Sequence, residues 1–128
     1  MDEKPRCRVL VVEDEAMIAM LVEDMVIDFG SEVVGPVARM DQALSLALSA
    51  ELDAAILDIN VGGSVVFPVA EILDGRGVPI IFATGYGPAG LPARFRGSPV
   101  LPKPFSGQYL AAALRSALAG RPCHTEAV

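Results

Sequence analysis

The sequence predicts an α/β domain: a five-stranded, parallel, doubly wound sheet with helices on both faces, the fourth helix short or irregular. Three observations lead there. Short aliphatic runs alternate with stretches of helical spacing about five times along 128 residues, the pattern of parallel strands joined by crossover helices. The strand candidates are continuously apolar, as strands covered on both faces are. The length suits one core and is short for two, so residues 1–128 are expected to form one domain.

Residues 8–12, RVLVV, open the pattern as a strand. Residues 15–29 follow with Ile18, Leu21, Val22, Met25, Val26 and Phe29 on one helical stripe, which Gly30 ends. EVVG, 32–35, is the second strand, and 41–50 a helix with Leu44, Ala47 and Leu48 inward. AAIL, 54–57, is the third strand. VVFPVAEIL, 65–73, is a helix that accommodates Pro68 in its first turn, closed by Gly75 and Gly77. PIIFA, 79–83, is the fourth strand and PVLP, 99–102, a weak fifth. Between them GYGPAGLPARFRGS carries too many glycines and prolines for a regular helix. Ser106 caps a last helix with Leu110, Ala113, Leu114, Ala117 and Leu118 inward, and Phe105 and Leu110 are placed to form a hydrophobic staple around it.

Composition narrows the function. Hydrophobic residues make up 52% and the mean hydropathy is +0.48, so the chain packs a core. No apolar run approaches the ~20 residues that span a bilayer, and MDEKPRCR lacks the apolar segment of a secretory leader. A net charge of −6 with ten scattered basic residues argues against a nucleic-acid backbone as partner. Cys7 and Cys123 have no metal-ligand spacing and are expected as free thiols in a reducing cytoplasm, with a disulfide as the lesser alternative.

In an open parallel sheet, ligands bind beyond the carboxyl ends of the strands. Strand one ends in Glu13 and Asp14, strand three in Asp58, strand four in Thr84 and strand five in Lys103. The glycine-rich phosphate loop is missing, and the first turn is acidic instead. Two like charges about 4 Å apart repel by roughly 4 kcal/mol at an effective dielectric near 20. Solvent, a helix N-terminus or a cation can offset that. Oxygen ligands alone favour Mg²⁺ over zinc. Carboxylates, Mg²⁺, a hydroxyl and an ammonium together make a site for placing phosphate on an aspartate.

VVEDE, AAILDIN, FATG and LPKPF, in this order and each at a strand end, resemble a two-component response-regulator receiver domain, of the CheY-like, flavodoxin-like kind. The resemblance spans about residues 6–119 and leaves 120–128 as a tail. It implies that Asp58 accepts a phosphoryl group from a sensor histidine kinase or phosphotransfer protein. Glu13, Asp14 and Asp58 would hold Mg²⁺ with the backbone carbonyl of Asn60. Thr84 would move toward the phosphoryl group, Lys103 would contact it, and the Lys103–Pro104 bond would be cis. The motifs further resemble a subgroup of stand-alone receivers with an F-A-T-G motif and an altered fourth helix, which work with HWE-type kinases in bacterial stress signalling. Three features depart from the general family. Val100 stands where an aromatic switch residue is usual, so Tyr86 is a candidate to share that role. Gly62 stands where many receivers have proline, and the fourth helix is broken.

The expected function is therefore a cytoplasmic phosphoacceptor that switches a protein-interaction surface, without an output domain, and is no enzyme beyond its own phosphorylation and dephosphorylation. Two alternatives stand beside it. An aspartyl phosphohydrolase normally has a second acid two residues on, where this chain has Asn60. A phosphorylation-independent interaction module would not need the acid–Asp–Thr–Lys set. His124 has no role.

Overall fold

A computed structural model describes residues 6–85, 91–103 and 106–121. The first half runs β1 (Arg8–Val12), α1 (Ala16–Phe29), β2 (Glu32–Val37), α2 (Met40–Ser49) and β3 (Ala54–Asp58). A small hairpin follows, β4 (Asn60–Val61) and β5 (Ser64–Val65). Then come α3 (Phe67–Gly75), β6 (Ile80–Thr84), β7 (Val100–Pro102) and α4 (Gly107–Leu118). The main sheet is five-stranded in the order β2-β1-β3-β6-β7, with every pairing parallel.

The alternation of side chains along each strand divides the interior in two. Leu10, Val12, Ala55, Leu57 and Phe82 point to one face, where they meet Ala43 and Ala47 of α2 and Val69, Ala70 and Leu73 of α3. Val9, Val11, Ala54, Ile56 and Ile81 point to the other, against Val22 and Val26 of α1 and Leu110 and Leu114 of α4. Two helices thus cover each face, which is why the central strands β1, β3 and β6 read as apolar runs.

Several element boundaries differ from the sequence expectation. Leu21 is 56% exposed and Leu48 is 66% exposed, although helical spacing places both inward. The buried stripes are instead Ala19, Val22 and Val26 in α1, and Ala43 and Ala47 in α2. Small alanines centre these stripes, so the helix rotates the neighbouring leucines outward. Strand β2 runs on to Val37, and α3 begins at Phe67 with Pro68 in its first turn, because residues 60–65 form the hairpin. Cys7 is disulfide-bonded, not the free thiol expected from a reducing compartment, a criterion that carries no geometry. Cys123 lies outside the described residues.

Between β6 and β7 the described residues hold only a 3-10 turn, Ala93–Phe95, as the glycines and prolines there require. Phe95 is 2% exposed and its ring packs edge-on against Phe82, 5.5 Å between centroids, and stacks on Phe67 at 6.1 Å. At α4, Ser106 accepts a hydrogen bond from the Tyr109 N–H at 3.3 Å, as a cap should. Ser106→Ala is expected to lower stability by about 1 kcal/mol, measured as a shift in the urea midpoint with unchanged slope. Phe105, the expected staple partner, lies outside the described residues. Among the described residues no helix is long and apolar enough to cross a membrane.

Candidate functional site

Backbone register brings the strand-end residues together. The β1–β2 pairing slips between Leu10 and Val12. Gly35 sits at that slip with φ +103, and a Cβ there would come within 3.0 Å of the Val11 carbonyl, so the close approach needs glycine. Past the slip, the Glu13 N–H donates to the Val37 carbonyl at 3.0 Å, fixing Glu13 at the sheet edge. Asp58, the last residue of β3, pairs with Ala83 of β6. Thr84 ends β6, pairs with Pro102, and its carbonyl accepts from the Lys103 N–H at 2.8 Å.

Lys103 holds the centre. Its Nζ lies 2.8 Å from Glu13 Oε1 and 3.1 Å from Asp58 Oδ2. The Glu13 and Asp58 side chains are buried, and Thr84 is 3% exposed. Asp14 is exposed at the mouth. Carboxylate oxygens of Glu13, Asp14 and Asp58 all lie within 4.8 Å of one another. Three acids thus face one ammonium in a half-dry pocket.

The electrostatics follow. Burial, with the Asp58 charge added, holds Glu13 above the ordinary value of 4.5, outweighing the hydrogen bonds from Lys103 and the Glu15 N–H. Burial alone would depress Lys103. Its hydrogen bonds to Glu13 and Asp58, and their charges, more than reverse that and hold it above 10.5. The stability that Lys103 contributes is therefore fully present below pH 10.5 and lost as pH rises through its folded-state value. The contribution of Glu13 is present below pH 4.5 and lost above its own raised value. Clustered negative charge here is a cost that the one lysine offsets in part. An all-oxygen donor set with excess negative charge fits a hard divalent cation such as Mg²⁺.

Glu13, Asp14, Asp58, Thr84 and Lys103, chosen from strand ends, thus lie at one edge of the sheet. Asn60 begins the hairpin directly behind Asp58, and its N–H approaches Asp58 Oδ1 at 3.4 Å. Val100 is half-buried in β7, paired with Phe82 and packed against the core. Tyr86 and Pro104, with the expected cis bond, lie outside the described residues. Two features are not visible in the sequence pattern. The Glu15 carboxylate, ordinary by its place at a helix start, reaches within 4.0 Å of Lys103 Nζ. The Gly62 N–H donates to Asp14 Oδ2 at 2.9 Å. The Gly62–Gly63 pair between Val61 and Ser64 is the signal that could have found that turn.

No family model matches the chain. Solved structures do. SdrG from Sphingomonas melonis Fr1 is 41% identical, covering 91% of this chain and all of that one, with a TM-score of 0.79. The PhyR response-regulator receiver domain of Erythrobacter litoralis is 28% identical over 96% of both chains, also at 0.79. The receiver domain of the sensor histidine kinase PA1611 from Pseudomonas aeruginosa PAO1 is 25% identical over 90% of this chain and 99% of that one, at 0.75. It is described with a magnesium ion coordinated in its active-site cleft. The chain spans about half the length of the curated relatives it matches.

Proposed function

The chain belongs to the response-regulator receiver family, and from that premise we propose that it takes up a phosphoryl group on Asp58 from a sensor histidine kinase or phosphotransfer protein. One observation carries this reading: Lys103 Nζ bonds Asp58 and Glu13 together, with Asp14 beside them at the open mouth. An Asp58 oxygen attacks the phosphorus of a phosphohistidine. The P–N bond breaks, the imidazole leaves with a proton, and an acyl phosphate forms. Transfer of this kind depends on positioning and charge. Lys103 keeps its proton and stays by the oxygens that gain charge. Glu13, Asp14, Asp58 and the Asn60 carbonyl would hold Mg²⁺, as the magnesium-bound PA1611 receiver encourages. Such an ion would supply positive charge to the phosphoryl oxygens.

Thr84, beside Asp58 across β3 and β6, is assigned the hydroxyl that meets the new phosphoryl group. The roughly two negative charges added there are the input of the switch, with Tyr86 and Val100 as its candidate followers. The output is a protein surface that a partner reads, with no nucleic acid or membrane involved. Action in the cytoplasm and an HWE-type kinase as donor complete the proposal. The likeness to SdrG and PhyR supports the narrower assignment.

The test is intact-mass spectrometry after incubation with a small phosphodonor. One phosphoryl group is expected with Mg²⁺, and none with a chelator. Continuous release of phosphate over many turnovers would favour an aspartyl phosphohydrolase. No modification under either condition would favour a phosphorylation-independent interaction module.

A further inference from the structure

The hairpin behind Asp58 has its own geometry. Val61 pairs with Ser64 and Asn60 with Val65 around a two-residue turn. Both turn residues have positive φ, +58 at Gly62 and +84 at Gly63, the type I′ conformation that matches strand twist. In an antiparallel ladder, hydrogen-bonded and non-bonded pairs alternate. Val61 and Ser64 flank the turn as the bonded pair, so Asn60 and Val65 are the non-bonded one. Ile59 and Val66 are then bonded again, and the Val66 N–H does donate to the Ile59 carbonyl at 2.8 Å. The register therefore turns the N–H and C=O of Asn60 out of the ladder, to one side. That side faces Asp58, because the Asn60 N–H approaches Asp58 Oδ1 at 3.4 Å. One turn further, the Gly62 N–H binds Asp14 Oδ2 at 2.9 Å, across 48 residues of sequence.

We infer that the Asn60–Val65 hairpin is a positioning element of the metal site: its register presents the Asn60 carbonyl, and its Gly62 N–H holds the Asp14 carboxylate in place. The inference rests on the proposed Mg²⁺ site and extends it to the turn at Gly62, which supplies none of the proposed ligands. Asp14 is the exposed acid of the three, so its side chain has the most rotational freedom to lose on binding a cation. A fixed backbone donor removes part of that freedom beforehand. Partners that orient metal ligands in this way typically contribute ten- to a hundredfold to metal affinity.

Position 62 allows a test of the hairpin as a unit. A Cβ on Gly62 meets nothing within 4 Å. Gly62→Pro removes the N–H and, because its ring fixes φ at about −65°, also breaks the turn that needs φ +58 at this position. It therefore tests the hairpin and its donor together, while amide exchange at Gly62 isolates the donor. Gly62→Asn keeps the N–H, and Asn-Gly is a favoured type I′ pair. Calorimetric titration with MgCl₂ should show affinity about tenfold lower or worse in Gly62→Pro and near-parental in Gly62→Asn, with urea midpoints recorded for each. In the metal-free parent, amide exchange at Gly62 should be slowed, and the slowing lost in Asp14→Ala. Equal Mg²⁺ affinity in the parent and Gly62→Pro would overturn the inference while leaving the proposed metal site standing. An equal loss in Gly62→Asn would also overturn it, because that variant retains the N–H. A parent that binds no Mg²⁺ would overturn both.

Discussion

Lys103→Met is expected to destabilise the metal-free protein by about 3 kcal/mol, the low end for breaking a buried ion pair. Methionine keeps the length and apolar character of the stem, so the loss is one of charge. Glu13 and Asp58 would be left facing each other in a pocket where both are now bonded to the lysine, at 2.8 and 3.1 Å. The low end applies because the pocket opens to water at the exposed Asp14. Added Mg²⁺ should recover part of the loss, since a cation bound to the folded state shifts the folding equilibrium by mass action. Urea denaturation in chelator and in Mg²⁺ reads both effects. A variant as stable as its parent in chelator would show that the lysine does not carry the balance of charge.

Asp58→Ala is expected to move the two readouts in opposite directions. Phosphoryl uptake should vanish, because Glu13 is 4% exposed and tied to Lys103, while Asp14 is held by Gly62. Stability in chelator should be no lower than the parent's. The substitution removes one of three mutually repelling acids and leaves Lys103 paired with Glu13. The stabilisation gained from Mg²⁺ should shrink at the same time. Undiminished uptake, read by intact mass, would remove Asp58 from its assigned role.

Both variants change residues that stand at strand ends, and the strands are the most legible part of the sequence. Val9 and Val11 face α1 and α4 while Leu10 and Val12 face α2 and α3. That double burial is what makes RVLVV an unbroken apolar run, and β3 and β6 are legible for the same reason, every residue of each being buried. The edge strands β2 and β7 are partly exposed and read more weakly. The site is legible because a parallel sheet gathers its carboxyl ends at one edge, so Glu13, Asp58, Thr84 and Lys103 need only correct strand boundaries. Helix rotation is harder. Leu21 and Leu48 are as apolar as residues that are buried, and the small Ala19, Ala43 and Ala47 decide which way each helix turns. The hairpin is hidden because Val65 and Val66 read as the start of a helix, whereas Val65 is 51% exposed on β5. The donor that holds Asp14 is a backbone N–H, which no residue letter announces. The approach of Glu15 to Lys103 depends on where α1 begins and on side-chain rotamers, neither of which spacing specifies.

The central claim is that Asp58, alone among the clustered acids, becomes the acyl phosphate. Borohydride reduction tests it directly, because it converts a phosphorylated aspartate into homoserine. The protein would be treated with a small phosphodonor and Mg²⁺, reduced, digested and sequenced by mass spectrometry. Homoserine at position 58 alone is the predicted result. Reduction product at position 13 or 14, or none at position 58 in protein that has gained a phosphoryl group, would contradict it.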